Sequence, residues 1–310
     1  MNLLVTGAAG FIGSNYVLRH IERAPGDKIV VLDNLTYAAD KSLLDSVAES
    51  ITFVEGDIAD TALVGSLIDE HGIETIVNFA AETHVDRSIK DVAPFIHSNI
   101  EGVQSLIEVC RKHPKMLLLH VSTDEVYGDL TDEDPSFSVR SPLNPSNPYS
   151  ASKASGDLLL LAAARTHGVR TRITRCTNNY GPHQDRSKLL PVIITHAMKD
   201  EKIPIYGEGK QKRDWLYVTD HTDAIESVLE KGKDGEIYLI SADEEQENIN
   251  VAHTVLDAMG KSHDLIEFVP DRPGHDWRYS LDSSSVRALG WKPSVSFFEG
   301  VEKTIAWYKQ

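Results

Sequence analysis

Chemistry is concentrated in Ser122-Thr123-Asp124-Glu125, where hydroxyls and two adjacent carboxylates follow closely on the apolar run Met116-Leu117-Leu118-Leu119. Neighbouring carboxylates can divide acid and base duties if one is kept neutral by desolvation or by the other's charge. The same acids also suit the first turn of a helix, where the macrodipole favours negative side chains, so both readings stand at this point. A second pair is Tyr149 and Lys153, four residues apart on a helix predicted over 151–164 and its approach. They share a face. The ammonium and the helix N-terminus are expected to draw the phenol down from its usual value of ~10 towards neutrality.

Earlier elements must position these groups. Leu3-Leu4-Val5 reads as a strand, Thr6 to Gly13 as a turn, and Tyr16, Val17, His20 and Ile21 recur at helical spacing. Gly7 would take the tight bend, Gly10 would let the backbone approach a pyrophosphate, and Gly13 would allow close helix packing, with Phe11 and Ile12 between them. A second strand, Ile29-Val30-Val31-Leu32, ends at Asp33. There a carboxylate can accept hydrogen bonds from an adenosine ribose and would repel a 2′-phosphate. No arginine follows in Asn34-Leu35-Thr36, so NAD is expected over NADP.

Strands at 51–54 and 75–78 and an amphipathic helix near 61–71 continue the alternation. Such repetition predicts a parallel, doubly wound sheet. Asp57 and Ile58 are placed to flank an adenine, and Ala80 and Ala81 are small enough to lie against a cofactor; loop packing would also explain each of them, as turn capping would explain Asp33. The polar run from Glu82 to Ser88 precedes a long helix predicted over 94–113, which carries Asn99. His84 in that run reads as a ligand or as an ordinary hydrogen-bonded histidine. The Pro-rich passage 141–148 cannot be a helix interior.

Composition narrows the function classes. With 310 residues, 41% hydrophobic and 25% charged, the chain is an ordinary globular protein large enough for one big core and an appendage. A net charge of −16 argues against a general nucleic-acid or membrane-surface binder. No apolar run approaches the ~18–20 residues of a membrane span, and no signal-like segment precedes the first strand, so a cytoplasmic home is expected. Only Cys110 and Cys176 are present, which speaks against a disulfide framework, and the 13 histidines show no H-E-x-x-H spacing, so no metal is expected.

The glycine turn of spacing G-x-x-G-x-x-G and the Y-x-x-x-K pair make the sequence resemble the extended short-chain dehydrogenase/reductase superfamily, from end to end. Within it, AAETHVDRS at 80–88, STDEVYGDL at 122–130, NPYSASKAS at 147–155, NNYGP at 178–182, KLLP at 188–191, RDWLYV at 213–218 and DRPGHD at 271–276 are similar to the 4,6-dehydratases that act on dTDP-glucose. Thr123-Asp124-Glu125 discriminates: related epimerases generally have small or neutral residues in place of Asp124, and decarboxylases tend to keep only the glutamate.

The resemblance implies an α/β fold, a Rossmann sheet over 1–175 with returning segments near 213–240, and a smaller, interleaved sugar-nucleotide part over 176–310. It implies a lyase of deoxysugar biosynthesis that uses bound NAD to oxidise C4, eliminates water across C5 and C6, and returns the hydride to C6. Tyr149 would take the C4 hydroxyl proton, Lys153 would hold the phenolate and the nicotinamide ribose, and Thr123 would bond the reacting oxygen. Glu125 would be the base at C5, and protonated Asp124 the acid for the departing C6 hydroxyl. Implied cofactor contacts are Gly7, Gly10, Phe11, Ile12, Gly13, Asp33, Asn34, Thr36, Asp57, Ile58, Ala80, Ala81, Asn99, Tyr149 and Lys153. Implied substrate contacts are His84, Ser88, Thr123, Asn179, Lys188, Leu189, Pro191, Tyr206, Arg213, Asn248, Arg272 and His275.

The guanidinium forks of Arg213 and Arg272 suit phosphate, although a surface ion pair would occupy either equally well. A homodimer through the helices near 94–113 and 149–167 is also implied. Three features depart from the usual pattern, namely Gly156 for serine, Trp277 for arginine, and HQDRS at 183–187.

Overall fold

Burial with a period of two builds the central sheet. Along β1 (Asn2–Thr6), Leu3 and Val5 face one hydrophobic cluster and Leu4 the other, as a strand covered on both sides requires. The computed structural model describes residues 1–271 and 275–310. After β1 come α1 (Phe11–Arg23), β2 (Lys28–Asp33), β3 (Ile51–Glu55), α2 (Thr61–His71) and β4 (Thr75–Asn78). Next are α3 (Val85–Lys90), α4 (Ala93–Ile96), a π turn over His97–Glu101, α5 (Gly102–Lys112), β5 (Leu117–Thr123), α6 (Pro148–His167) and β6 (Arg170–Cys176). The rest of the chain forms β7 (Asn178–Tyr180), α7 (Leu189–Lys199), β8 (Ile203–Tyr206), β9 (Lys212–Tyr217), α8 (Val218–Lys231) and β10 (Ile237–Ile240). It ends with β11 (Glu245–Glu247), α9 (Asn248–Met259), β12 (Ile266–Val269), α10 (Ser284–Arg287) and α11 (Phe297–Tyr308).

Seven strands pair in parallel in the order β10-β6-β5-β4-β1-β2-β3. The order reverses between β1 and β4, so their carboxyl ends open the crevice in which α/β sheets bind ligands. Helices α1 and α8 cover one face of the sheet, and α2, α5 and α6 the other. This is the doubly wound sheet expected from the alternation. The segment 237–240 joins it as the edge strand β10, but 215–218 does not. Instead β9 lies between β11 and β7 in a separate three-stranded sheet. Its Trp215 and Tyr217 face a third cluster formed with α7, α9 and α11, while Leu216 faces the first. One strand with two buried faces therefore ties the C-terminal core to the main one.

Helix α6 starts where the Pro-rich passage ends. Asn147 accepts from the Ser150 amide at 3.0 Å, Ser150 Oγ accepts from the Asn147 amide at 3.2 Å, and Pro148 occupies the first turn, where its missing N–H costs nothing. Such a cap is worth ~1 kcal/mol, and it fixes the turn that carries Tyr149. The long helix predicted over 94–113 is present as α4 and α5, joined without a break through the π turn. Within that turn, Asn99 Oδ1 accepts from the Glu82 amide at 3.0 Å, and Asn99 Nδ2 donates to Glu82 O at 2.9 Å and to Ser152 Oγ at 2.8 Å. The Gly156 departure fits this clasp, because a Cβ there would meet Asn99 O at 2.7 Å. Among the described residues, no helix is long and apolar enough to cross a membrane.

Candidate active site

The glycine turn is shaped by close backbone approach. Gly7 has φ +68°, and a Cβ on it would lie 2.5 Å from the Ala80 nitrogen; a Cβ on Gly13 would lie 2.5 Å from Gly7 O. Gly10, by contrast, meets nothing nearer than Gly7 O at 3.3 Å, which leaves its outer side open to the cleft. Asp33 closes the far side, accepting from the amides of Ala9 and Leu35 at 2.9 Å each. Burial still holds its carboxyl above the usual range. Burial also works on Asp57, but the Ala59 amide, His97 and Asn34 outweigh it and hold that carboxyl below the usual range. A cradle in which side chains would clash, with free amides at a helix start and a ribose-side acid, fits a dinucleotide.

The reactive group stands at the end of β5. Thr123 Oγ1 accepts from the Glu125 amide at 3.3 Å and donates to Asp124 Oδ1 at 3.1 Å, so it caps the short 3-10 turn Asp124–Tyr127. The two acids begin a helical turn and also face the cleft. Asp124 is buried, and its Oδ2 has no hydrogen-bond partner among the described residues. Desolvation, then the charge of Glu125, pushes its carboxyl well above the usual range, against the opposing pull of Thr123 and Arg213. Burial beside Glu125 thus favours the protonated form of Asp124, the form an acid needs.

Tyr149 and Lys153 share a face of α6, as their spacing predicts, and both are buried. The predicted fall in the Tyr149 pKa does not occur. Burial first, then the charge of Glu125, raises it well above its ordinary value, with only Thr123 pulling it down appreciably. The reason is geometric, because the Lys153 ammonium points past the phenol to Val121 O at 2.8 Å and His120 Nε2 at 3.2 Å. Burial lowers Lys153 itself to about 8.

A single cleft of ≈ 320 Å³ joins these groups. Its walls include Gly7, Gly10, Phe11, Ile12, Gly13, Asp33, Asn34, Thr36, Asp57, Ile58, Ala80, Ala81, Thr123, Asp124, Glu125, Tyr149, Lys153, Asn179 and Lys188. Several predicted contacts stand outside it. Asn99 serves the clasp described above, Ser88 Oγ donates to Val85 O at 2.7 Å, and Leu189 and Pro191 begin α7. His84 caps α3 with its Nδ1 buried and unpartnered among the described residues; burial, with Lys188 nearby, lowers its pKa.

Arg213 departs most from its expected role. Its guanidinium donates to the carbonyls of Lys212, Asp276 and Trp277 at 2.7–3.2 Å and stacks 4.4 Å from the Tyr279 ring centroid. It is committed to holding the 276–279 segment rather than presented to the cleft. Tyr206 and His275 meet edge-on at 6.2 Å, and Asn248 opens α9, all beyond the cleft walls. Arg272 lies outside the described residues. Trp277 donates its amide to Asp129 at 2.6 Å and its indole to Asp132 at 3.1 Å, pinning the loop after the Asp124–Tyr127 turn.

Residues given no role from the sequence also line the cleft, among them His183, Gln184 and Asp185, together with Glu82 and Ser122 from the polar runs noted after β4 and at the end of β5. Glu82 was signalled by the polar run after β4, whereas nothing local to Gln184 marks it. No group of three or more His, Cys, Asp and Glu side chains able to hold a metal occurs among the described residues.

Comparison with known proteins agrees with this geometry. A family model described as GDP-mannose 4,6 dehydratase matches residues 4–304. The chain belongs to that family. A dTDP-glucose 4,6-dehydratase of Mycolicibacterium smegmatis is 46% identical over 312 residues, covering 100% of this chain and 93% of the relative. The crystal structure of a dTDP-glucose 4,6-dehydratase from Streptomyces venezuelae with NAD bound superposes with a TM-score of 0.95 at 42% identity, covering 100% of this chain and 97% of that one. A UDP-glucose 4-epimerase from Thermus thermophilus, solved with NAD, reaches a TM-score of 0.92 at 29% identity, with 100% and 99% covered. Family members and epimerases thus share one backbone.

Proposed function

We infer that this chain is an NAD-dependent dTDP-glucose 4,6-dehydratase, a hydro-lyase yielding dTDP-4-keto-6-deoxyglucose. The observation that carries the reading is Asp124, a buried carboxyl that desolvation and the charge of Glu125 push well above the usual range, in the same cleft as Tyr149 and Lys153. An epimerase needs no such acid, because it breaks no C–O bond. The named relatives and the NAD-bound neighbour support the substrate and the cofactor.

The glycine turn, Asp33 and Lys153 would hold NAD, which when bound supplies a hydride acceptor at the start of the cycle and a donor at its end. Tyr149 would receive the C4 hydroxyl proton as the phenolate, a form that its burial beside Glu125 opposes and that a Lys153 ammonium turned towards it would favour, with Thr123 bonded to the same oxygen. The resulting ketone acidifies the C5 hydrogen, which Glu125 removes as a proton. Asp124 delivers its proton to the C6 hydroxyl, so the leaving group departs as water and the carboxylate produced is the charge that the site had withheld. Glu125 then returns a proton to C5. Proton transfer of this kind contributes ~10²–10⁴-fold per group.

We further propose that 1–175, with the returning α8 and β10, forms the dinucleotide-binding part and most of 176–310 the sugar-nucleotide part. The homodimer reading is supported by exposed Ile96 and Leu158 on the helices implied in it. Incubating the NAD-loaded protein with dTDP-glucose should give a 4-keto-6-deoxy product, seen as alkali-induced absorbance and by mass, without net NADH. An inverted C4 centre, or carbon dioxide from a uronic-acid substrate, would replace this reading with an epimerase or a decarboxylase.

A further inference from the structure

Behind Tyr149 and Lys153 lies a buried polar cluster that the dehydration steps leave unused. Asp157 follows Lys153 by one helical turn, as Lys153 follows Tyr149, so one face of α6 carries phenol, ammonium and carboxylate in a row. Asp157 is fully buried. Its Oδ2 accepts from Arg175 Nε at 2.8 Å, and Arg175 Nη1 donates in turn to the Tyr127 hydroxyl at 2.6 Å. Its Oδ1 has no hydrogen-bond partner among the described residues and lies 3.8 Å from His120 Nε2.

His120 sits between Asp157 and the sheet interior. Its Nε2 is 3.2 Å from Lys153 Nζ, and its Nδ1 is 2.8 Å from the side-chain amide of Asn78, which also contacts Thr6 Oγ1 at 2.6 Å. An ammonium only donates, so Nε2 must be the bare nitrogen and Nδ1 must carry the proton. As placed, Asn78 turns Nδ2 to Nδ1 and accepts from Thr6 Oγ1 at Oδ1; a protonated Nδ1 requires the amide flipped, with Oδ1 at Nδ1 and Nδ2 at Thr6, because the placed orientation leaves Nε2–H facing Nζ, which only a neutral amine could accept.

We propose that His120 is a positioning residue for Lys153, its tautomer set by Asn78, and that Asp157 supplies the counter-charge that keeps the buried ammonium in place. This rests on the dehydratase reading above for its kinetic consequences only. The charged and titratable groups around Lys153 are His120 on β5, in contact with it, Asp157 on its own helix and Cys176 on β6, whose charges act on it, and Tyr149, Asp124 and Glu125, which share its cleft; Arg175 and Tyr127 lie behind, bonded in turn to Asp157. Burial lowers the Lys153 ammonium to about 8, and the Asp157 charge opposes that fall. His120 is driven well below its ordinary value by burial and then by the charges of Lys153 and Arg175, so it stays a neutral acceptor. Activity that needs the ammonium is lost as pH rises through the Lys153 value. Removing its acceptor brings that loss to lower pH.

Two variants and one spectroscopic measurement test this. His120→Phe, with NAD content and melting temperature matched to the wild type, should lose kcat ~10-fold or more with little change in KM. Its alkaline limb should move down by ~1 unit, the displacement that one charge-assisted hydrogen bond can cause. His120→Gln can place an amide oxygen near the Nε2 position and should recover most of both. Wild-type kcat and an unmoved limb in His120→Phe overturn the proposal, as does a His120→Gln no better than His120→Phe. Nitrogen-15 spectra of histidine-labelled protein, with His120 assigned by its loss in His120→Gln, decide the point without turnover. The expected signal is a neutral ring with bare Nε2 between pH 6 and pH 8, shifting in Lys153→Met. An Nε2-protonated ring, or no shift in that variant, overturns it. Failure of the wild type to convert dTDP-glucose would remove the dehydratase reading and leave the spectra to decide the role of His120.

Discussion

Replacing Asp124 by Asn should make the protein more stable and nearly inactive, with the gain in stability depending on pH. The carboxyl is buried and held well above the usual range by desolvation and by Glu125. Below the unfolded-state value of ~3.9 both states carry the proton and the group costs nothing. Above it the unfolded chain releases the proton while the folded chain keeps it, so stability falls with rising pH until the folded group itself ionises. Each pH unit in that window costs ~1.4 kcal/mol. For 310 residues, an unfolding entropy of ~2.1 cal/mol/K per residue amounts to ~0.65 kcal/mol/K, so each unit is ~2 °C in Tm. Asparagine can keep the acceptor for Thr123 Oγ1 and titrates nowhere. The Tm of Asp124→Asn minus that of the wild type, measured by calorimetry with saturating NAD, should therefore widen by ~2 °C per unit from about pH 4 upward and then level off. Turnover should fall ~10²–10⁴-fold, since the amide cannot deliver the proton that the C6 oxygen needs. A Tm difference that stays flat across pH, or a variant retaining more than about a tenth of the turnover expected to be lost, would refute the reasoning.

Three further perturbations probe separate links. Glu125→Gln should abolish exchange of the C5 hydrogen with deuterated solvent, seen by mass in recovered sugar nucleotide, and lower kcat by ~10²–10⁴-fold, whereas Asp124→Asn should retain that exchange. Gly13→Ala would place a Cβ 2.5 Å from Gly7 O and 2.8 Å from the Ala8 Cα; because both are backbone, α1 must shift, at a cost of ~1–3 kcal/mol or ~2–5 °C of Tm. Its NAD content, measured after acid release, should fall. Asn99→Ala removes three buried hydrogen bonds and strands the Glu82 carbonyl and amide, so a loss of ~1–3 kcal/mol is expected in denaturant melts.

The central sheet was legible because its signals are local. Leu3-Leu4-Val5 before Gly7, and the repeated strand–helix periods, determine partners by pattern alone. Strand β9 was misplaced because Trp215-Leu216-Tyr217 looks apolar on both sides whichever sheet it enters, and only its neighbours β7 and β11 decide. Tyr149 and Lys153 were found by spacing, but the direction of the Tyr149 pKa was not. Spacing reveals that an ammonium is near, while desolvation and the side on which Val121 O and His120 lie emerge only in the fold. Arg213 shows the same limit, since its fork fits carbonyls as well as phosphate and the chain wraps 276–277 around it.

The π turn at His97–Glu101 amounts to one residue inserted into an otherwise regular helix. An insertion absorbed within a single wide turn leaves both flanks in rotational phase, so Phe95 before it and Leu106 after it remain directed at the interior. Deleting Ser98 should therefore yield a straight helix with both flanks still seated while withdrawing the Asn99 amide from Glu82 and Ser152. A length change at this turn would thus leave the architecture standing and loosen the Glu82 loop from the helix that bears Tyr149.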